Sequence, residues 1–157
     1  MYSGYGSTGA SYAHNLKIAD YNGSPHMTYY TGNEERGGNR GHGVIADQSY
    51  QTVKAVTSGL GRAPSDVHEF TVINGGKTAL ITIYQPSRYD LFSFGLLQPY
   101  GWVVEGVFQE IDVESGEVLF EWRSLDHAET LPPLTYNTYG SNGTANGSSP
   151  SAIWDYL

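Results

Sequence analysis

Short apolar runs, broken by clusters of glycine, asparagine, serine and proline, recur along this 157-residue chain. Residues 16–20, 26–31, 43–47 and 52–57 have the length and composition of strands. Turn residues at 21–24 and 48–50 separate them, together with a polar, exposed loop, GNEERGGNRG, at 32–41. A Gly/Pro connector, SGLGRAPS at 58–65, leads to four more strands at 69–73, 78–84, 102–112 and 117–123. Asn74-Gly75-Gly76-Lys77 and Val113-Glu114-Ser115-Gly116 supply hairpin turns, because Gly and Asn accept positive φ at little cost. TALITIY, at 78–84, is apolar on both faces, as expected of a strand packed between two layers.

The two sets of strands repeat one another. Residues 15–30 align without a gap with 69–84 at an offset of 54, and 43–57 align with 108–122 at an offset of 65. The second copy therefore carries 11 extra residues in or near 85–101. Each copy starts one residue after a histidine, His14 or His68. A repeat of this period, made of short strands, predicts an all-β chain of two antiparallel four-stranded blades of an incomplete β-propeller. The blades occupy 14–57 and 68–123 within a repeat region 14–126. Their expected core is Leu16, Ile18, Val44, Ile45, Phe70, Val72, Leu80, Ile81, Ile83, Val107, Phe108, Val118, Phe120 and Trp122. Two blades alone leave apolar outer faces and unpaired edges, so self-association as a homo-oligomer is expected. Residues 1–13 read as a leading segment, and 127–157 as a flexible connector followed by the start of a further element, IWDYL.

Composition adds exclusions. Glycine (20) and tyrosine (13) are abundant and only 15% of residues are charged, a mix suited to strands and tight turns. Sixteen acids against eight bases give a net charge of −8, which argues against a nucleic-acid backbone or an anionic membrane as partner. A local basic pocket for sulfate or phosphate stays compatible with that balance. The absence of cysteine excludes disulfides, thiolate metal sites and a cysteine nucleophile. His26, His42 and His127 show no metal-ligand spacing, and neither metal nor cofactor is expected. Asp112, Glu114 and Glu117 read as an exposed acidic turn. No apolar stretch approaches the ~20 residues of a membrane span, and MYSGYGSTGA lacks the regions of a signal peptide. Sequons at Asn22, Asn142 and Asn146 matter only if the chain enters the secretory pathway, and the proline after Ser24 weakens Asn22 as an acceptor.

GHGVIAD, DVHEFTVINGGKTALITIYQP, YDL, GWVVEGVFQEIDVESGEVLFEWRSLDH and the final WDYL resemble the arylsulfotransferase family of β-propellers, closest to its fungal secreted branch. The resemblance runs from about residue 3 to 126 and resumes at 154–157. It implies, for the parent protein, sulfate transfer from an aryl sulfate to a phenol through a sulfated histidine, and an extracellular or secretory location. Family members are much longer. The histidine of DVHEF, His68, matches the family's first channel histidine, whereas its later histidines, the nucleophile among them, have no counterpart. The expectation is therefore a fragment inactive alone, and the alternative a noncatalytic β-sheet module that binds ligands or itself.

His68 opens the first strand of its copy, which in a propeller lines the channel, so it is the candidate catalytic residue; it can equally serve to order the blade. His14, at the equivalent place, is a weaker candidate. Asp66 can orient the His68 ring or cap the Pro64-Ser65 turn, and the turn is the simpler reading. Arg62 and Arg88 can hold a sulfate by forked hydrogen bonds or stand as solvated loop residues. Tyr84 and Trp102 can stack an aromatic acceptor or pack the blade.

Overall fold

A computed structural model describes residues 12–35, 38–90, 100–127, 138–139 and 153–156. Its strands are β1 (Tyr12–Tyr21), β2 (Ser24–Glu35), β3 (Gly38–Ala46), β4 (Thr52–Val56), β5 (Phe70–Ile73), β6 (Thr78–Asp90), β7 (Tyr100–Asp112), β8 (Val118–Arg123), β9 (Thr138–Tyr139) and β10 (Ile153–Tyr156). The chain is all-β: β1–β4 form a four-stranded antiparallel sheet, β5–β8 lie in a six-stranded sheet that also holds β9 and β10, and each of the eight strands expected from sequence is present.

The one long loop expected within the first copy is strand over most of its described residues. The ladder between β2 and β3 runs from Met27↔Ala46 out to Glu35↔Gly38, so the polar segment at 32–41 extends the hairpin. Ladder hydrogen bonds come from the backbone, so pairing there does not depend on apolar side chains. The insertion in the second copy acts likewise: β6 continues to Asp90 and β7 begins at Tyr100. Most of the segment expected as a flexible connector lies outside the described residues, but Thr138–Tyr139 within it pairs with β10.

The chain divides into two compact units, Met1–Tyr84 with Val107–Trp122, and Gln85–Gly106 with Arg123–Leu157. In the first, β1-β2-β3-β4 form one sheet in sequence order. β5, β6 up to Tyr84, β7 from Val107 and β8 belong to the other. Asn22 (φ 52°) and Gly23 (φ 76°) make the tight turn between β1 and β2, the left-handed pair that matches strand twist.

The core lies between the two sheets. Tyr21, Tyr30, Ile45 and Val56 from the first meet Phe70, Val72, Ala79, Ile81, Ile83, Val107, Ile111 and Val113 from the second. A smaller cluster, Tyr29, Val44 and Ala46 with Ala13 and Met27, gathers on the other face of the first sheet. The two clusters are related by the repeat. Ile81, Ile83 and Ile111 of the shared core are the counterparts of Met27, Tyr29 and Ala46 in the small cluster. Equivalent residues thus face the same way along the stacking direction, and the second sheet turns toward the first the face that the first turns away.

That phase corrects the expected core. Leu16 (44% exposed) and Ile18 (71%) are counterparts of buried Phe70 and Val72, yet they lie on the outer face. A bulge in β1 contributes: His14 pairs with Tyr30 and Lys17 with Thr28, leaving Asn15 and Leu16 opposite Tyr29 alone, with Asn15 at φ 57°. The extra residue shifts the alternation, so Ala19 and Tyr21 turn inward. Phe120 and Trp122 are also exposed, on β8, and the Phe120 ring stands edge-on to Phe108. Leu80, Phe108 and Val118 are partly buried. Val44, Ile45, Phe70, Val72, Ile81, Ile83 and Val107 are buried as expected.

In the second unit β10 pairs in parallel with β7, Ile153↔Trp102 through Tyr156↔Glu105, and antiparallel with β9. Glu105 is fully buried and accepts hydrogen bonds from Ser87 Oγ and Arg123 Nη2, both at 2.6 Å. A buried carboxylate needs such partners to offset its lost hydration.

Candidate functional site

The connector between the two sheets, SGLGRAPS, is fastened at Ser65. The Gly41 amide donates to Ser65 O at 2.9 Å, Ser65 Oγ donates to Gly41 O at 3.0 Å, and the buried Tyr30 hydroxyl donates to Ser65 O at 3.2 Å. The next residue, Asp66, donates its amide to Thr82 O at 2.9 Å. Ser65 and Asp66 are both 1% exposed. Two polar features are built on this anchor.

The first is a carboxylate–imidazole pair. His68 Nδ1 lies 2.9 and 2.8 Å from the two carboxylate oxygens of Asp66. Asp66 also accepts from the Val67 amide at 2.7 Å, the His68 amide at 3.4 Å and Thr82 Oγ1 at 3.3 Å. A carboxylate only accepts, so Nδ1 carries a proton and Nε2 of the neutral ring is the acceptor. The Asp66 side chain is 1% exposed and that of His68 62%, so a buried anion holds an open ring in place. The Tyr84 ring stands edge-on to it, with centroids 5.5 Å apart. Asp66 therefore orients the ring, and the turn its carboxylate caps is the one at 67–68 rather than the Pro64-Ser65 turn expected from sequence.

The second feature is a cleft of about 550 Å³ lined by Arg40, Gly41, His42, Thr57, Ser58, Arg62 and Pro64. Arg40 and His42 alternate along β3. Arg62 reaches in from the connector, its guanidinium forked onto Glu121, with Nε to Oε2 at 2.9 Å and Nη2 to Oε1 at 2.5 Å. Gln109 Nε2 donates to the same carboxylate at 2.6 Å, and its Oε1 accepts from the Gly59 amide at 3.0 Å. Burial lowers the pKa of His42 below the ordinary 6.5, favouring the neutral ring.

The other sequence candidates are dispersed. His14 is half-buried within β1, paired with Tyr30 in the ladder, whereas His68 lies in the turn before β5. Arg88 is exposed near the end of β6, in the second unit. Trp102, 45% exposed on β7, is in that unit too. Asn22 is exposed at its hairpin turn, and Asn142 and Asn146 lie outside the described residues. The acidic turn is structural. Asp112 accepts from the Ser115 amide and hydroxyl at 2.7 and 2.9 Å, and Glu114 accepts from Tyr21 at 2.6 Å. Arg40 and His42 were not singled out as a pair in the sequence; strand alternation through 38–46 would have put them on one face had that segment been read as strand.

No curated protein and no solved structure matches the chain. A family model, Arylsulfotransferase (ASST), matches residues 18–157, which take in both sheets except the first residues of β1, together with the Asp66–His68 pair and the cleft. This chain belongs to the arylsulfotransferase family.

Proposed function

We propose that the chain carries part of the site of a sulfate transfer from an aryl sulfate to a phenol, with His68 as a proton-handling residue. The observation that carries this reading is the Asp66–His68 pair, at the position where the chain resembles the family's first channel histidine. With Nδ1–H fixed on Asp66, Nε2 is directed outward as a base. A phenol approaching the sulfate can pass its proton to Nε2, and the buried carboxylate stabilises the imidazolium that forms. The same proton is then available to a departing phenolate. Such a role is worth roughly 10²–10⁴-fold in rate.

The sheet phase supports stacking by successive rotation, as in blades of a propeller, and the fungal secreted likeness belongs to the same proposal. In a secreted form Asn22 would be accessible to glycosylation. The isolated chain is expected to be inactive. Among the described residues His68 meets Asp66 and Tyr84, the ring is open to solvent, and sulfate transfer requires donors for the sulfate oxygens inside a closed site. The test is release of a coloured phenol from its sulfate ester, with a phenolic acceptor present. The short chain should show none; fusion to further blades of a relative should give turnover that His68→Ala impairs. Turnover by the short chain that survives His68→Ala would overturn the reading.

A second reading, a noncatalytic self-associating module, is favoured by Leu16, Ile18, Leu119 and Phe120, large apolar side chains 44–71% exposed.

A further inference from the structure

We propose that Asn15 and Lys17, on the bulge of β1, are positioning residues for His68: they clamp the start of β5 and so set where the imidazole stands. The bearing of this clamp on catalysis rests on the proton-handling role of His68; its effect on the ring does not.

His68 is fixed from two sides. On one, the Asp66 carboxylate accepts from the Val67 and His68 amides. On the other, the hold comes from β1. Glu69, the next residue, accepts from Lys17 Nζ at 2.8 Å, from Asn15 Nδ2 at 3.4 Å and from the Thr71 hydroxyl, which in turn accepts from Lys17. Phe70 O accepts from Asn15 Nδ2 at 3.1 Å and from Lys17 Nζ at 3.4 Å. β5 stands at the end of its sheet with β6 as its ladder partner, so these side chains serve its other edge.

Burial works to raise the pKa of Glu69, but hydrogen bonds from Lys17, Thr71 and Asn15 outweigh it and bring the carboxyl below its ordinary value. The clamp is therefore charged at neutral pH. Lys17 and Glu69 are each more than a third exposed, and an ion pair so placed adds little stability by itself. What the cluster supplies is direction.

The bulge aims it. The repeat offset of 54 makes Asn15 the counterpart of Glu69 and Lys17 that of Thr71, and each touches its own counterpart. Asn15, at φ 57°, takes the left-handed conformation that asparagine accepts more readily than most residues. Re-aiming side chains beside a site is a common use of a bulge. β6 completes the frame by bringing Tyr84 edge-on to the same imidazole.

The experiment follows the His68 ring protons of the 157-residue chain by NMR. The Tyr84 ring current shifts them, and Tyr84→Leu sets the zero of that shift. His26, edge-on to Tyr21 with centroids 5.3 Å apart, is the control in the same spectrum. Lys17→Met and Glu69→Gln should each diminish the Tyr84-dependent shift of His68 and leave His26 unmoved. Lys17→Arg, which keeps the charge and the donors, should retain most of it. The double variant Lys17→Met with Glu69→Gln should do no more than Lys17→Met alone, because the two residues act as one unit. In the chain fused to further blades of a relative, Lys17→Met should lower kcat by about 10–10²-fold with KM nearly unchanged. Unmoved His68 protons in a folded Lys17→Met chain, or equal displacement of His68 and His26, would overturn the proposal. Displaced His68 protons with an unchanged kcat would uphold the clamp and overturn the proton-handling role of His68.

Discussion

The ring of Phe70 lies against Gly43 so closely that a Cβ on residue 43 would come within 2.2 Å of it. Gly43 sits in β3 opposite Tyr30, and Phe70 opens β5, so this contact locks the two sheets of the first unit together. Gly43→Ala should destabilise the chain by about 1–3 kcal/mol through overpacking. Phe70→Ala should cost more, about 3–5 kcal/mol, because it empties a fully buried site. Denaturant titrations check both; an unchanged midpoint for Gly43→Ala would show that the sheets are less tightly apposed.

The outer faces should behave differently. Phe120→Ala, at a position 51% exposed, is expected to cost less than about 1 kcal/mol. Ile18→Thr should be similarly mild in stability and should weaken association between copies. Sedimentation velocity at micromolar concentration is the check: the parent chain should run as oligomers or aggregates and the Ile18→Thr chain less so. A sharp monomer of the parent chain would contradict it.

The eight repeat strands were legible because turn residues and apolar runs punctuate them, and because one copy validates the other. The direction of their faces was not. NLKIADY offers two alternating sets, Leu16 with Ile18 and Ala19 with Tyr21, and hydrophobicity alone prefers the aliphatic pair. The bulge at Asn15 and the stacking of repeats in one sense decide for Ala19 and Tyr21. The polar segment at 32–41 misled in the same way, since ladder pairing there owes nothing to apolar side chains. At the site, His68 and Arg62 stood out as residue types that carry chemistry. The depth of Asp66 did not, because burial of a carboxylate depends on the tertiary contacts of Ser65 and Thr82.

His42 gives the stability a dependence on pH. Its folded-state pKa is lowered by burial, below the 6.5 of the unfolded chain. Its contribution is therefore complete above that unfolded value and is lost as pH falls through the folded one. Unfolding free energy should decline on going from about pH 7.5 to about pH 5, and His42→Gln should flatten part of that decline. An unaltered slope in the variant would remove His42 as a cause.

Asp66→Asn should loosen His68 without removing it. An asparagine can satisfy the turn only in part, and its amide offers no charge to an imidazolium. A long-range proton–nitrogen spectrum of the histidine rings should show His68 protonated at Nδ1 in the parent chain, and a mixture of tautomers in Asp66→Asn. Equal spectra would mean that the carboxylate does not set the tautomer.

The most direct measurement is a double-mutant cycle on transfer of labelled sulfate from an aryl sulfate to a second phenol, in the chain fused to further blades of a relative. His68→Ala should lower kcat by about 10²–10⁴-fold, and Asp66→Asn by less. The double variant should be no slower than His68→Ala alone, because Asp66 acts only through the ring it holds. Losses that multiply in the double variant, or a His68→Ala protein that transfers sulfate at the parent rate, would contradict the assignment of this pair to the chemistry.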